Sequence, residues 1–529
     1  MRHTLRVTRG VLCLLFLASL LVFSLQAFAQ GSFGGTAKVA LTANPRSPDP
    51  YWGTDANNRI LASHIFEALF TFDETYKVIP QIADTWELSA DKFAWTIHLR
   101  EGIKFHNGQE MKAEDVKASL DRFLQMGARK SELPYITSVA VTDPYVVVIT
   151  TSAPVATLAM DIANPATLLG IMPKDIAEAN MDSELNAEEA IGTGPYKLVQ
   201  YDPDVQVKLE RFDDYSPDTR YTERSGLGGY KVAYFDEIIF VPVVEAGTRI
   251  GGLETGEFSV VLAAPFTSYR LLQDNPETEP SIVKPKWGIR VQLNHTAWPM
   301  SELKFRQAVM AALNMEQILQ IVTEGKDGFY RLQPSLWHPE QEAWHNLGGV
   351  EGYYDQRDPE KAKRLLEEIG YDGEEIIILS NRDYDAMYKT TLAMLPQLRA
   401  VGINAKAEFY DWPTTVDLAR KPGPQWHMFQ SLWSARLTPA AVVPLVACGA
   451  INVVGYCNPQ LDSLFDDYSQ AFDETAQRDI VTQIQKTIYD DVAIFAIGDS
   501  FELEGYRAEV KNYQSWYIIP RMWNVWVEE

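Results

Sequence analysis

Few side chains in this sequence are placed to act as catalysts. Ser500, within G-D-S-F, could serve as the nucleophile of a secreted hydrolase, but no histidine follows it to act as the base. Neither an H-E-x-x-H nor a G-x-S-x-G motif occurs, and Gly192-x-Gly194 lacks the third glycine of a dinucleotide fingerprint. His338 and His345 suggest metal capture, but their spacing fits no standard site. We therefore predict a protein that is not an enzyme and that uses neither a metal nor a cofactor.

Aromatic side chains are better placed to bind a solute. Trp412, Trp426 and Trp433 fall within one part of the chain, and their flat rings can cover sugar faces, peptide planes or aliphatic chains. Tyr51 and Trp52 follow a proline-rich turn of the kind that often lies at the edge of a cleft. For each of these rings, packing in the core is the alternative.

The first 29 residues have the pattern of a cleaved secretory signal. Three arginines precede an apolar run at residues 11–23, and the small-x-small pattern A-F-A follows at 27–29. The run is too short to span a bilayer, and Cys13 lies in a context unlike that of a lipidated cysteine. We therefore expect a soluble periplasmic protein that begins near Gln30.

The mature chain is large and acidic. The whole sequence carries a formal net charge of −24, and the leader contributes three arginines and no acid, so the mature chain is more acidic still. This charge argues against nucleic acid as a partner. A chain of about 500 residues exceeds what one hydrophobic core usually organises, so two or more lobes are expected.

Cys448 and Cys457 are the two cysteines outside the leader. They lie close together in a chain that is exported to an oxidising compartment, which predicts a disulfide between them. A metal-binding pair is the alternative, although no histidine lies nearby at zinc-ligand spacing.

The elements that must position these residues alternate between strands and helices. Periodicity and capping predict strands at 36–41, 375–379 and 405–409, and helices at 60–70, 315–322, 359–369 and 386–401. Asn314 is the predicted cap of the helix at 315–322. The turn G-T-G-P at 192–195 predicts a hairpin with strands at 197–201 and 205–211. The strand-helix-strand order near residue 400 predicts an α/β fold.

The run A-I-G-T-G-P-Y-K-L at 190–198 closely resembles the segment that marks the solute-binding proteins of peptide-type ABC importers, the peptide, oligopeptide and nickel family. Other segments resemble the same family in the same order along the chain, at 83–87, 95–108, 113–116, 246–257, 305–308, 398–403, 411–414 and 455–462. Together they cover nearly the whole mature chain.

This resemblance implies a two-lobed periplasmic binding protein fold with a hinge of two segments. The first lobe is expected at 30–284 and 493–529, with an inserted subdomain over roughly 55–185, and the second lobe at 285–492. The lobes would enclose a small-molecule ligand and present it to a membrane permease. We expect a monomer.

The resemblance also implies a carboxylate-binding arginine. In dipeptide-binding relatives an arginine in a Ser-Arg-x-Tyr segment pairs with the ligand carboxylate, and residues 380–384, S-N-R-D-Y, are similar with one extra residue. Arg382 is then the candidate, with Tyr384 beside it, because a guanidinium fork can orient a carboxylate through two parallel bonds. The alternative is a surface arginine that pairs with Asp383 or Asp385.

Arg436 raises the question of ligand charge. Dipeptide-binding relatives hold the ligand ammonium with an aspartate shortly after a tryptophan, but residues 433–439, W-S-A-R-L-T-P, contain no acid. They are more similar to another family form, W-S-G-R-x-D-P. If Arg436 faces the cleft, it repels an ammonium and favours an anionic or neutral polar group; a local salt bridge is the alternative. A peptide or peptide-like solute is the first hypothesis, and an oligosaccharide or another polyhydroxylated or anionic solute is the second.

Overall fold

The computed structural model of the protein describes residues 31–53, 55–202, 204–449 and 454–528. The predicted signal peptide, residues 1–29, lies outside these residues. Numbered in chain order, the strands are β1 (Thr36–Leu41), β2 (Phe70–Phe72), β3 (Val78–Pro80), β4 (Ala83–Leu88), β5 (Ala94–Leu99), β6 (Ile136–Asp143), β7 (Val146–Thr151), β8 (Tyr196–Asp202), β9 (Gln206–Arg211), β10 (Arg224–Ser225), β11 (Gly228–Gly229), β12 (Glu237–Pro242), β13 (Val260–Ala264), β14 (Thr278–Leu293), β15 (Tyr330–Arg331), β16 (Ile376–Asn381), β17 (Ala405–Tyr410), β18 (Met428–Ser434), β19 (Ile494–Arg507), β20 (Val510–Lys511), β21 (Ser515–Trp516), β22 (Ile519–Pro520) and β23 (Trp526–Val527).

The α-helices follow the same numbering. They are α1 (Ala56–Ile65), α2 (Ala113–Met126), α3 (Leu158–Ala163), α4 (Lys174–Ala179), α5 (Ala246–Glu254), α6 (Tyr269–Asp274), α7 (Leu303–Ala312), α8 (Met315–Val322), α9 (Pro359–Ile369), α10 (Asp385–Ala400), α11 (Trp412–Ala419), α12 (Val443–Val446), α13 (Pro459–Gln470) and α14 (Glu474–Asp490). Short 3-10 turns occur at Lys130–Glu132, Phe266–Ser268 and Pro439–Val442. Within the described ranges, no helix is both long and apolar enough to cross a membrane.

One sheet of eleven strands organises both halves of the molecule. Its order is β17-β16-β18-β14-β19-β13-β1-β12-β9-β8, with β15 paired to β19. The long strands β14 and β19 lie in the middle and pair antiparallel from Thr278 opposite Arg507 to Gln292 opposite Ile494. We call the half that contains β1 the first lobe and the half that contains β16 to β18 the second lobe. Two chain segments cross between them, and the two-lobed α/β fold predicted from the sequence is confirmed.

A smaller sheet lies within the segment predicted as an inserted subdomain. Its four antiparallel strands have the order β4-β5-β7-β6. On β5 the buried residues Trp95, Ile97 and Leu99 alternate with half-buried neighbours, which is the period-2 pattern of a strand with one face toward a core. The limits given for this subdomain and for the two lobes stay predictions.

Each lobe buries a core of its own. In the first lobe Val39 of β1 and Phe240 of β12 pack in one cluster with Ile60 of α1. In the second lobe Ile378 of β16 packs with Met394 of α10. Two separate cores joined by two strands allow the lobes to move as units about the crossing.

Most of the predicted elements are confirmed. The strand at 36–41 and the helices at 315–322 and 359–369 have the predicted bounds, and the Asn314 side chain accepts a hydrogen bond from the Gln317 N–H at 2.9 Å. The hairpin strands are β8 and β9. The helix predicted over 60–70 is wrong at its C-terminal end, because α1 ends at Ile65 and Phe66 is extended, with β2 beginning at Phe70.

The turn at 192–195 explains where α1 ends. The Gly194 N–H donates to the Ile65 carbonyl at 2.8 Å, so the turn takes up one of the last carbonyls of the helix. A Cβ added at Gly192 would lie 2.1 Å from the Ile65 carbonyl oxygen, and one at Gly194 would lie 2.4 Å from that of His64. The two glycines are therefore required by the close approach of two backbone segments.

His106 holds the same turn from the other side. Its Nδ1 accepts the Gly192 N–H at 3.2 Å, which leaves the proton on Nε2 to donate to the Gly194 carbonyl at 3.0 Å. The neutral ring thus joins two of the segments that resemble the importer family, 95–108 and 190–198. Burial lowers the pKa of His106 from 6.5 to about 4 and that of His64 to about 4.

We expect stability to fall in mild acid because of these two histidines. Above pH 6.5, the pKa of an unfolded histidine, both side chains are neutral in the folded and in the unfolded chain. Below pH 6.5 the unfolded chain binds a proton at each histidine, whereas the folded chain does so only near pH 4. Each histidine should lower the free energy of unfolding by about 2 kcal/mol between about pH 7 and pH 5. Urea unfolding of wild type and His106→Gln at both pH values measures this. The free energy of unfolding should fall less in the His106 variant than in wild type. His98→Asn, at a half-buried position of β5, is the control and should lose as much as wild type. Equal losses in all three proteins would contradict the assignment.

A buried ion pair lies next to this turn in the first lobe. Lys231 Nζ lies 2.9 Å from Glu67 Oε1, and both side chains are 2% exposed. Glu67 also accepts hydrogen bonds from Gln81, Tyr215 and Thr193. Removing one charge would leave the other buried without compensation.

Lys231→Met is therefore expected to destabilise the protein by about 3–5 kcal/mol. Adding Glu67→Gln to it should restore part of the loss, because a neutral amide is less costly to bury than an unpaired carboxylate. Urea unfolding of both variants provides the measurement. If the free energy of unfolding of Lys231→Met lay within about 1 kcal/mol of the wild-type value, the ion pair would contribute little to stability.

Candidate solute-binding site

The C-terminal ends of three parallel strands form one edge of the second lobe. β16 pairs parallel with both β17 and β18, so their ends at Asn381, Tyr410 and Ser434 face the same way. Ligands of open α/β sheets bind outside such carboxyl ends. Five of the residues singled out from the sequence lie at or just beyond this edge: Arg382, Tyr384, Trp412, Trp433 and Arg436.

The segment after β18 reaches the first lobe. The Ser434 Oγ accepts a hydrogen bond from the Tyr517 hydroxyl of the first lobe at 3.1 Å. Ala435 and Leu437 are both 2% exposed and belong to the core cluster of the first lobe. Arg436, between them, lies with its guanidinium carbon 5.0 Å from the centre of the Trp433 ring. Arg436 therefore lies where the two lobes meet.

The first lobe presents charged groups to Arg436. Arg59 extends from α1, and its guanidinium donates to the Tyr517 hydroxyl at 3.4 Å. Arg129 donates to Glu132 at 2.6 Å on the short turn after α2. Burial lowers the pKa of Arg436 to about 10; Tyr517 and Glu132 raise it, and the positive charges of Arg129 and Arg59 lower it. No sequence pattern singles out Arg59, Arg129, Glu132 or Tyr517.

An aromatic surface of the first lobe adjoins this cluster. Tyr76 and Trp516 are stacked with their ring centres 4.7 Å apart, and Tyr517 follows at 6.1 Å from Trp516. Burial raises the pKa of Tyr76, and the negative charge of Glu340 raises it further. The Trp516 Nε1 is buried and finds no hydrogen-bond partner among the described residues. Buried aromatic rings of the first lobe thus lie next to the place where the two lobes meet.

Arg382 lies at the outer part of the same edge. It is exposed, and its guanidinium carbon is 5.6 Å from the Tyr388 ring centre and 5.5 Å from that of Phe409. The two acids considered as its alternative partners bind elsewhere: Asp383 accepts the Trp412 N–H at 2.7 Å, and Asp385 pairs with Lys389.

Two aromatic residues extend this outer part. Tyr384 is 43% exposed, and its ring meets that of half-buried Trp412 edge to face at 5.1 Å. Together with Arg382 they offer a cation and ring faces to solvent. The strands that precede them, β16 and β17, are two and three places from β14 in the sheet, whereas β18, which precedes Arg436, pairs with β14 directly.

Of the remaining predicted residues, two are buried in the core and one is exposed. Trp426 is fully buried in a core cluster and donates its indole N–H to the Lys421 carbonyl at 2.8 Å. Tyr51 is 1% exposed and donates its hydroxyl to the Gly170 carbonyl at 2.6 Å. Both residues pack in the core, which was the alternative to a role in solute binding. Trp52, next in the chain, is 48% exposed.

The cysteines and histidines have structural partners. Cys448 and Cys457 form the predicted disulfide. His338 Nδ1 lies 3.0 Å from an oxygen of buried Asp499. In the described part of the chain, no group of three or more histidine, cysteine, aspartate or glutamate side chains could hold a metal ion.

Comparison with known proteins supports the two-lobed fold. The model of the family "Bacterial extracellular solute-binding proteins, family 5 Middle" matches residues 77–448. The glutathione-binding protein GsiB of Pectobacterium atrosepticum is 26% identical over 503 residues, which cover 92% of each chain.

Two solved structures have the same fold. One is the ABC transporter substrate-binding protein CtaP of Listeria monocytogenes, with a TM-score of 0.82 and 20% identity over 94% of this chain and 100% of that one. The other is the periplasmic binding protein DppA of Helicobacter pylori in complex with the peptide STSA, with a TM-score of 0.77 and 22% identity over 94% and 99%. The chain therefore belongs to family 5 of the bacterial extracellular solute-binding proteins, the solute-capturing components of ABC importers.

Proposed function

We propose that this protein captures a peptide or peptide-like solute between its two lobes and delivers it to an importer permease. The observation that carries the proposal is the segment Ser434 to Leu437, which ends a second-lobe strand and packs into the first lobe. A solute held beside it would touch both lobes and stabilise their closed arrangement. The relative GsiB is named for binding glutathione, which is itself a tripeptide.

The proposed site has an inner and an outer part. Trp433 and Arg436 form the inner part, near the pairing of β14 with β19, and Tyr517 of the first lobe bonds to Ser434 between them. Arg382, Tyr384 and Trp412 form the outer part of the second-lobe wall, and Trp52 is the candidate from the first lobe. The lobe limits 30–284 with 493–529, and 285–492, belong to the same proposal.

The protein would act in the periplasm, as a monomer and without catalysing a reaction, after cleavage of residues 1–29. Ser500 is 3% exposed on β19, which supports a structural role for it. Hydrolysis of a chromogenic ester or peptide by the purified protein would contradict this part of the proposal.

A thermal-shift screen of the mature protein tests the solute class. The screen contains dipeptides, tripeptides including glutathione, oligosaccharides and small organic acids. A solute at one hundred times its dissociation constant adds about 2.7 kcal/mol of stability. Stabilisation by peptides supports the proposal. Stabilisation only by sugars or by non-peptide acids would replace the peptide by the second candidate class.

A further inference from the structure

A second contact between the lobes lies at the C-terminal end of α13. This helix belongs to the second lobe, because its Tyr468 packs in one core cluster with Trp433 of β18. The Ala156 N–H of the first lobe donates to the Ser469 carbonyl of α13 at 2.7 Å. Ser469 is among the last four residues of the helix, whose carbonyls have no partner within it. The first lobe thus supplies a hydrogen bond that α13 cannot make for itself.

Met160 on α3 adds apolar packing to this contact. Its side chain is half-buried and packs against the core cluster of the first lobe and against the cluster that contains Tyr468. The Tyr468 hydroxyl donates to the Met160 sulfur at 3.5 Å. Apolar surface shared by two lobes is removed from water only while the lobes are together. Met160 therefore favours the closed arrangement.

The turn between β4 and β5 brings a charge to the same contact. Lys92 Nζ lies 4.2 Å from the centre of the Phe472 ring, which follows the end of α13. A cation is favourable over the face of an aromatic ring. It is also favourable near the C-terminal end of a helix, where the carbonyl dipoles leave a partial negative charge. The Lys92 ammonium thus complements the end of α13 in two ways.

The backbone of this turn is specialised at Lys92. Its φ is 64°, a left-handed conformation that residues other than glycine seldom adopt, and its N–H donates to the Ser89 carbonyl at 2.9 Å. Next to it, the Phe93 carbonyl accepts the Thr151 N–H at 2.8 Å, which ties the turn to β7, the strand that leads to Ala156. Backbone strain of this kind persists where the surrounding structure holds it, and it clusters at functional positions.

We propose that residues 92 and 156–160 of the first lobe and residues 468–472 of the second lobe form a latch that holds the lobes together without the solute. The latch rests on the proposed capture between the lobes, but its residues are not those proposed to touch the solute. Because it exists only in the closed form, it stabilises that form whichever solute is bound. Weakening it lowers the apparent affinity for every solute by the same factor, since less of the free protein is competent to bind.

Residue-resolved hydrogen–deuterium exchange of the ligand-free mature protein tests the latch. We expect the Ala156 amide to be protected in wild type and to exchange roughly threefold to tenfold faster in Phe472→Ala, although that substitution lies in the other lobe. The Thr151 amide should keep its wild-type protection, because its hydrogen bond lies within the first lobe. Unprotected Ala156 in wild type, or equal exchange of Ala156 in both proteins, would overturn the proposal.

Substitutions of Lys92 test the same contact from the first lobe. Lys92→Glu should speed exchange at Ala156 and increase the radius of gyration in small-angle X-ray scattering, whereas Lys92→Arg keeps the cation and should resemble wild type. Lys421→Glu makes the same change of charge at an exposed position after α11 and should alter neither quantity. Faster exchange at Ala156 with an unchanged radius of gyration would mean local fraying and would refute the latch. Because no solute is used, failure of the peptide hypothesis in the thermal-shift screen does not affect this result.

Discussion

Gly192→Ala is expected to destabilise the protein by about 3 kcal/mol or more, because the new methyl group would lie 2.1 Å from the Ile65 carbonyl oxygen. The neighbouring atom is backbone, so a side chain cannot simply turn away. Moving the turn would break the hydrogen bonds that His106 makes to it. Urea unfolding of the mature protein measures the loss.

Gly247→Ala is the matched control for this substitution. Gly247 lies in α5, and an added Cβ there meets nothing within 4 Å. Alanine should be neutral or stabilising at this position, by up to about 1 kcal/mol, because it favours the helix. If both variants unfolded at the wild-type urea concentration, the close packing of residues 192–195 on the end of α1 would be refuted.

Arg436→Asp is expected to weaken solute binding by roughly a hundredfold or more, since it replaces a cation at the lobe contact by an anion. The stability of the separate lobes should change little, because the side chain lies beyond the end of β18 and outside the two cores.

Calorimetric titration with the solute found in the thermal-shift screen measures this loss. Arg364→Asp, on the exposed face of α9, makes the same change of charge far from the lobe contact and should leave the affinity unchanged. Affinity of the Arg436 variant within twofold of wild type would exclude Arg436 from the site.

Local elements of this fold could be predicted well from the sequence. The cap at Asn314, the proline that begins α9 and the hairpin after Gly192 each depend on residues close together in the chain. The C-terminal end of α1 could not be predicted, because it is determined by contact with a turn more than a hundred residues away in the chain. The pairing of β14 with β19, which spans two lobes, likewise depends on long-range packing that no local pattern specifies.

The residues of the candidate site likewise include some that a local sequence pattern identifies and others that it does not. Arg436 and Trp433 are recognisable because they form one short segment, W-S-A-R. Arg59 lies in α1 and Arg129 in the turn after α2, and no local sequence pattern connects either residue with Arg436. Trp426 and Tyr51 illustrate the opposite case, because local carbonyls satisfy their polar ends and allow full burial.

Hydrogen–deuterium exchange with and without the identified solute tests the central claim most directly, because it locates binding along the chain. A solute held between the lobes should slow exchange of backbone amides at residues 434–437 of the second lobe and at residues 129–132 and 515–520 of the first lobe together. Protection confined to one lobe, or none at a solute concentration that raises the melting temperature, would contradict capture between the lobes.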